Sequence, residues 1–204
     1  MLIRIDCDKP DERRLKMVID CLKKGGVIIY PTDTVYTIGC DLYNYEAYKK
    51  ICAIKNIHPK KANFSIVCSD FSHLSNYAKQ LSTSQYRLLK RYLPGPYTFI
   101  LEATKEVSKI FEHNKSTIGY RIPNSPICSE IVTQLGNPIF SASIKIDDDV
   151  LEYLSDPEDI YELFSDQIDM MIDGGIGGIE PSTIIDFSSG EPELVRMGKG
   201  PIDF

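Results

Sequence analysis

The chain has 204 residues, 43% of them hydrophobic and 25% charged, the balance of a globular domain with one sizeable core. No apolar run approaches the roughly 20 residues of a membrane helix, and the N-terminus MLIRIDCDKPDERR has no apolar signal core, so no membrane span and a cytoplasmic location are expected. A net charge of -6 and a pI near 5.1 argue against a broad nucleic-acid surface, which needs cations to neutralise phosphates, but leave room for a local basic pocket.

In chain order, residues 11–24 place Leu15, Val18, Ile19 and Leu22 at helical spacing, with Gly25 as the stop. Val27–Tyr30 reads as a short buried strand that halts at Pro31-Thr32-Asp33-Thr34. NYEAYKKICAIK is a second helix with Ala47, Ile51 and Ile54 inward. NFSIVCSD is a strand whose Asp70 can cap a following helix. SQYRLLKRYLPG is a helix ended by Pro94 and Gly95. YTFILEA and STIGYRIP are strands. SPICSEIVTQLG is a helix with Ile127, Ile131 and Leu135 on one face and Gly136 at its end. NPIFSAS is a strand, and DPEDIYELFSD opens a helix with Asp-Pro. IDMMIDGG, STIIDFS and PELVRMG are three further strands. Helices and strands alternate and then strands dominate, with no repeat or linker. The expectation is one α/β (α+β) domain, 1–204, on a twisted, mixed, open sheet.

Small hydroxyl residues gather where strands end: Thr32 and Thr34, Ser141 and Ser143, Ser182. In open α/β sheets, ligands lie at such ends, although each residue singly could be a cap or a turn. Arg121 stands inside an otherwise apolar strand. A buried guanidinium requires an anion, either an internal carboxylate or a ligand's carboxylate or phosphate. Arg196 in LVRMGKG repeats the pattern, and Lys55 ends the second helix as a dipole partner or a phosphate contact. Together these suggest a small polyanion such as a nucleotide. The three histidines, His58, His73 and His113, show no metal-ligand spacing, and no metal site is expected. The glycine-rich GGIGGIE lacks the P-loop pattern and reads as a hairpin or loop. The six cysteines offer no C-x-x-C pair and no evident nucleophile; they read as reduced, mostly buried thiols.

Taken in order, GGVIIYPTDTVYTIGCD, LPGPYTFIL, TIGYRIP, GNPIFSAS, PSTIIDF and LVRMGKG resemble the threonylcarbamoyl-adenylate synthase family of YrdC/YciO-type proteins over about Gly25–Gly200. The resemblance implies an open sheet with helices around a large concave cavity. It implies a nucleotidyltransferase joining L-threonine, bicarbonate and ATP, with Mg²⁺, into threonylcarbamoyl-AMP and pyrophosphate, for modification of adenosine 37 of tRNA. On the matching positions it puts Thr32, Thr34, Arg121, Ser141 and Ser182 on the threonine side. Lys55, Thr117, Ser143 and Arg196 fall on the nucleotide, with Ser141 and Ser143 at the boundary. No catalytic nucleophile is implied. The family is also described as binding double-stranded RNA, so a non-catalytic tRNA or double-stranded-RNA module is the alternative, and a sensor without turnover a third. Three positions depart from the synthase pattern toward a YciO-like branch: Ile57 where K-x-R has arginine, Lys145 where S-x-S-A-N has asparagine, and Thr37 in YTIGC. A missing arginine near phosphates costs about 3–4 kcal/mol of transition-state stabilisation, which His58, Lys60, Lys61 or Lys145 could offset.

Overall fold

The computed structural model describes residues 1–110, 116–144 and 153–203. Ten strands form one mixed sheet: β1 (Leu2–Arg4), β2 (Ile28–Tyr30), β3 (Thr37–Asp41), β4 (Ser65–Val67), β5 (Tyr97–Glu102), β6 (Thr117–Arg121), β7 (Ile139–Ser143), β8 (Met170–Asp173), β9 (Thr183–Asp186) and β10 (Glu193–Arg196), in the spatial order β1-β8-β2-β3-β7-β4-β6-β5-β9-β10. Seven helices accompany it among the described residues: α1 (Glu12–Lys23), α2 (Tyr45–Ile54), α3 (Phe71–Tyr77), α4 (Thr83–Tyr92), α5 (Lys105–Ile110), α6 (Pro126–Leu135) and α7 (Pro157–Phe164). The helix ends follow from local chemistry. Asp11, Asn44, Asp70, Ser82 and Asp156 each accept a first-turn N–H, and Gly136 ends α6 in the left-handed region.

Successive side chains on a strand point to opposite faces, and the two cores follow that alternation. Ile29, Ile38, Ile66, Phe99, Tyr120, Phe140, Met171 and Ile185 share one cluster with buried residues of α2, α3, α4, α5 and α7. Their neighbours Ile28, Tyr30, Val67, Ile139, Met170 and Ile172 share the other, with Leu15, Val18, Ile19 and Leu22 of α1 and Ile127, Ile131 and Leu135 of α6. Helices α1 and α6 pack together over this second face. Their cluster takes in strands from β8 to β7 and β4; the same face of β6, β5 and β9 contributes nothing to it.

Three elements carry too little sequence pattern to be read in advance: the short strands β1 and β3 and the short helix α5, whereas Asp70 caps α3 as its place after β4 suggested. The sequence pattern ends the preceding strand at Pro31-Thr32-Asp33-Thr34 and gives residues 37–41 no element. Thr37–Asp41 instead turns back and pairs antiparallel with β2, Tyr30 opposite Thr37 and Ile28 opposite Gly39. Its almost wholly buried pattern hides the period-2 alternation that marks half-exposed strands. Among the described residues, no helix is long and apolar enough to cross a membrane.

Candidate functional site

The uncovered end of the second sheet face floors a cavity of about 740 Å³, inside the range of small-molecule sites. Strand register explains why the floor is open. Row by row across the strands, Met170 lies beside Ile28, Ile28 beside Gly39, Gly39 beside Ser141, Ser141 beside Ser65, Ser65 beside Gly119, Gly119 beside Ile100, and Ile100 beside Asp186. The row begins with side chains large enough to meet α1 and α6, then falls to glycine and serine. No bulky side chain rises there. A Cβ on Gly119 would come within 3.0 Å of Ser65 Cβ and Thr98 Cγ2, so glycine keeps this part of the floor low.

The adjacent row holds the cations. Val67 pairs with Arg121, which follows the Tyr120–Phe99 pair of β6 and β5; Thr98, next to Phe99, pairs with Ile184, and Ile184 with Arg196. Arg121 is 5% exposed. Its Nη2 donates to Asp33 Oδ1 and to Thr34 Oγ1, both at 3.0 Å, while its buried Nε has no hydrogen-bond partner. Arg196 donates through Nη2 to the Ser182 carbonyl at 2.7 Å, and its Nε is likewise buried and unpartnered. Burial chiefly, with the like charge of Arg121 adding to it, pulls the Arg196 pKa below its ordinary value. Both residues line the cavity. An unmade hydrogen bond on a buried charged donor costs about 1–3 kcal/mol, and an anion in the cavity removes that cost.

Of the residues expected at the site, Thr34, Arg121, Ser141, Ser182, Lys55, Thr117, Ser143 and Arg196 all line this one cavity. Lys55, just past α2, donates to the Ser143 carbonyl at 3.0 Å. Ser182 shares a 2.8 Å hydrogen bond with Thr98, and Ser141 accepts from the Tyr30 hydroxyl at 3.1 Å. Thr32 is the exception. It is not among the lining residues, and its hydroxyl is engaged in the β2–β3 turn, donating to the Val35 carbonyl at 2.8 Å and accepting from the Thr34 N–H. The Asp33 carboxylate holds Arg121 and accepts from the Asn124 N–H at 2.9 Å. Ser141 and Ser143 lie within β7, as the strand NPIFSAS predicts.

Around the departures, Ile57 and Lys61 line the cavity. His58 instead caps the short 3-10 turn Pro59–Lys61 through Nδ1, and Lys60 is not in the lining. Lys145 and His113 lie outside the described residues. The glycine run after β8 is a loop that packs on the β2–β3 turn. Gly174 N–H donates to the Tyr36 hydroxyl, which donates to the Gly175 carbonyl; a Cβ on Gly178 would lie 2.0 Å from the Thr34 carbonyl oxygen. All six cysteines are free thiols, four of them buried. Sequence reasoning missed Thr98, Ser65 and Asp186; Thr98 and Asp186 stand at i, i+2 spacing from the lining residues Ile100 and Ile184 on their strands, and that spacing is the signal that could have found those two.

The comparisons agree with this architecture. The family described as "Telomere recombination", comprising Sua5, YciO and YrdC, matches residues 20–198. YciO of Escherichia coli K12 is 38% identical over 196 residues, covering 96% of this chain and 94% of that protein. The crystal structure of E. coli YciO superposes with a TM-score of 0.91 at 37% identity, over 98% of this chain and 97% of the other. P. abyssi Sua5 complexed with L-threonine superposes with a TM-score of 0.87 at 26% identity, over 97% of this chain and 57% of that one. The chain belongs to the Sua5/YciO/YrdC family.

Proposed function

We propose that the chain is a threonylcarbamoyl-adenylate synthase-type nucleotidyltransferase. It takes L-threonine, bicarbonate and ATP to threonylcarbamoyl-AMP, pyrophosphate and water, and its product serves the modification of tRNA adenosine 37. The observation that carries the reading is the pair of buried guanidiniums, Arg121 and Arg196, each with an unpartnered Nε, in one cavity with two lysines. That arrangement suits a ligand carrying several negative charges. Likeness to a Sua5 solved with L-threonine supports the amino acid as one of the ligands.

In this reading Arg121, fixed by Asp33, takes the threonine carboxylate, beside the Thr34 and Ser182 hydroxyls. Lys55 and Lys61 meet the triphosphate, and Arg196 the α-phosphate. Thr117, Ser141 and Ser143 fix the nucleotide against the threonine. Threonine nitrogen, once carboxylated by bicarbonate, presents a carbamate oxygen to the α-phosphorus. The new P–O bond forms as the bond to the bridging α,β oxygen breaks and pyrophosphate leaves. Positioning and charge neutralisation suffice for this step, and no protein nucleophile takes part. A protein-held Mg²⁺ does not fit the residues present. Among the described residues, no group of three or more His, Cys, Asp and Glu converges, and the cavity's one described carboxylate, Asp186, lies four strands from Ser141. Mg²⁺ enters only as the ion carried by the phosphates of ATP, sharing their charge.

The test is pyrophosphate release from ATP, bicarbonate and L-threonine, with a no-protein control and an active synthase alongside. Release that requires L-threonine is expected; background release overturns the reading. Ile57 in the lining favours one second reading, a nucleotide or amino-acid binder without turnover, for which calorimetry detects ATP binding while no pyrophosphate appears. Salt-sensitive filter binding of double-stranded RNA or tRNA with no ATP binding supports the RNA-binding alternative instead.

A further inference from the structure

Asp186 is the one carboxylate among the described lining residues of a cavity that otherwise carries four cations, Lys55, Lys61, Arg121 and Arg196. It is not a salt-bridge partner of any of them: none of the ion pairs among the described residues includes it. Its Oδ1 accepts the Ser188 N–H at 2.7 Å, which orients the carboxyl and leaves further acceptor capacity on both oxygens. An ionised carboxylate only accepts hydrogen bonds, so it repels a phosphate and requires a donor.

Its place narrows which donor. The low row Ser141, Ser65, Gly119, Ile100, Asp186 crosses four inter-strand steps, ~19 Å at the usual strand spacing. Lys55 bonds to Ser143 on the same strand as Ser141, at the opposite end of that row from Asp186. A nucleoside triphosphate laid along the row therefore has its phosphates toward Lys55 and its nucleoside toward Asp186. The Arg196 guanidinium donates to the Ser182 carbonyl, four residues before Asp186, ~13 Å along the strand. A phosphate on that guanidinium followed by its ribose, with a hydrogen bond at each end, spans about that interval.

We propose that Asp186 is a specificity residue for the sugar: its carboxylate accepts from the ribose cis-diol and selects a ribonucleotide over its deoxy forms. Acidic side chains take ribose hydroxyls in the same way in dinucleotide-binding folds. The proposal rests on the ATP reading above, and the experiment separates the two. Dissociation constants for ATP and 2′,3′-dideoxy-ATP are measured by calorimetry on the whole chain, for the wild type, Asp186→Ala and Asp186→Asn. The Asn variant keeps an acceptor for Ser188, so it guards against a local folding defect. The wild type is expected to bind ATP about 30-fold more tightly than the dideoxy analogue, and Asp186→Ala to bring the ratio within about 3-fold by weakening ATP alone. Asp186→Asn should fall between, and L-threonine affinity should stay constant in all three.

Equal wild-type affinity for the two nucleotides overturns the proposal and leaves the ATP reading intact. Equal weakening of both nucleotides by Asp186→Ala, with a raised Mg²⁺ requirement, assigns the carboxylate to the ion and overturns it. Loss of ATP-over-GTP preference with the sugar ratio unchanged assigns it to the adenine amine and overturns it. Failure of the wild type to bind any adenine nucleotide overturns both readings.

Discussion

Arg121 reaches from β6 to Asp33 in the β2–β3 turn, Nη2 to Oδ1 at 3.0 Å, with side chains only 6% and 9% exposed. This contact ties the strand that floors the cavity to the turn that walls it. The second carboxylate oxygen of Asp33 accepts from the Asn124 N–H, and its carbonyl accepts from Lys199 near the C-terminus. The Asp33 side chain thus holds Arg121 and the Asn124 backbone just after β6, its main-chain carbonyl holds Lys199, and the Arg121 Nε remains for a ligand.

Removing Asp33 should cost far more than a surface pair would. Asp33→Ala leaves Arg121 buried without its counter-charge, and about 3–5 kcal/mol of stability should be lost. Asp33→Asn keeps acceptor and size and should cost about 1–2 kcal/mol. Urea unfolding of the two variants checks this. A loss below 1 kcal/mol for Asp33→Ala means the pair is not the anchor of the turn.

Ile57 and Arg121 test the chemistry from opposite directions. Arg121→Ala removes a preorganised cation and should lower L-threonine-dependent pyrophosphate release by about 10²–10³. Ile57→Arg restores the guanidinium of the K-x-R pattern at a position that lines the cavity and should raise the rate, by up to about tenfold. Lys61 also lines the cavity; if it supplies the charge that Ile57 lacks, Lys61→Ala should depress the wild type more than Ile57→Arg. Equal loss in both backgrounds would show that the two side chains do not serve the same charge.

Much of this was legible from sequence. The α1 and α6 faces, the caps Asp70 and Asp156 and seven of the later strands follow from periodicity and turn chemistry, and eight of the nine residues chosen for the site line one cavity. What was not legible shares a physical cause. Thr32 and Asp33 are hydroxyl and carboxylate in a turn, where binding a ligand and bonding the local backbone need the same side chains; only coordinates separate them. The cavity floor is built by register across five strands, β7, β4, β6, β5 and β9, brought together from Ser65, Ile100, Gly119, Ser141 and Asp186. No local window holds that row, so nothing in the local sequence sets Asp186 apart.

The glycine loop is coupled to the site through contact, not through phosphate binding. Gly178 sits so close to Thr34 that an added Cβ would lie 2.0 Å from the Thr34 carbonyl oxygen. Gly178→Ala must therefore shift either the loop or the turn. Because Thr34 Oγ1 accepts from Arg121, that shift should weaken L-threonine binding several-fold and cost about 1–3 kcal/mol. Gly175→Ala is the contrast: nothing lies within 4 Å of its Cβ, and its penalty is backbone strain at φ +86. Calorimetric L-threonine affinity should change for the first variant and not for the second.

Alkaline pH should destabilise the fold through its thiols. Cys128 is buried in the α1–α6 core and donates to the Pro31 carbonyl at 3.4 Å; burial pushes its pKa from 9.0 up to about 12. Burial also raises Cys40 and Cys68. The folded state keeps these protons while the unfolded chain loses them above pH 9. The stability they contribute is therefore complete below pH 9 and falls as pH rises, for Cys128 until about pH 12. The slope is about 1.4 kcal/mol per pH unit for each such thiol. Urea midpoints at pH 8, 9, 10 and 10.5 should fall progressively for the wild type. Cys128→Ala lowers stability at every pH by opening a cavity, but its curve should be shallower above pH 9 by one thiol's share. Parallel curves for the two proteins would remove Cys128 from the alkaline transition, whatever the variant costs at neutral pH.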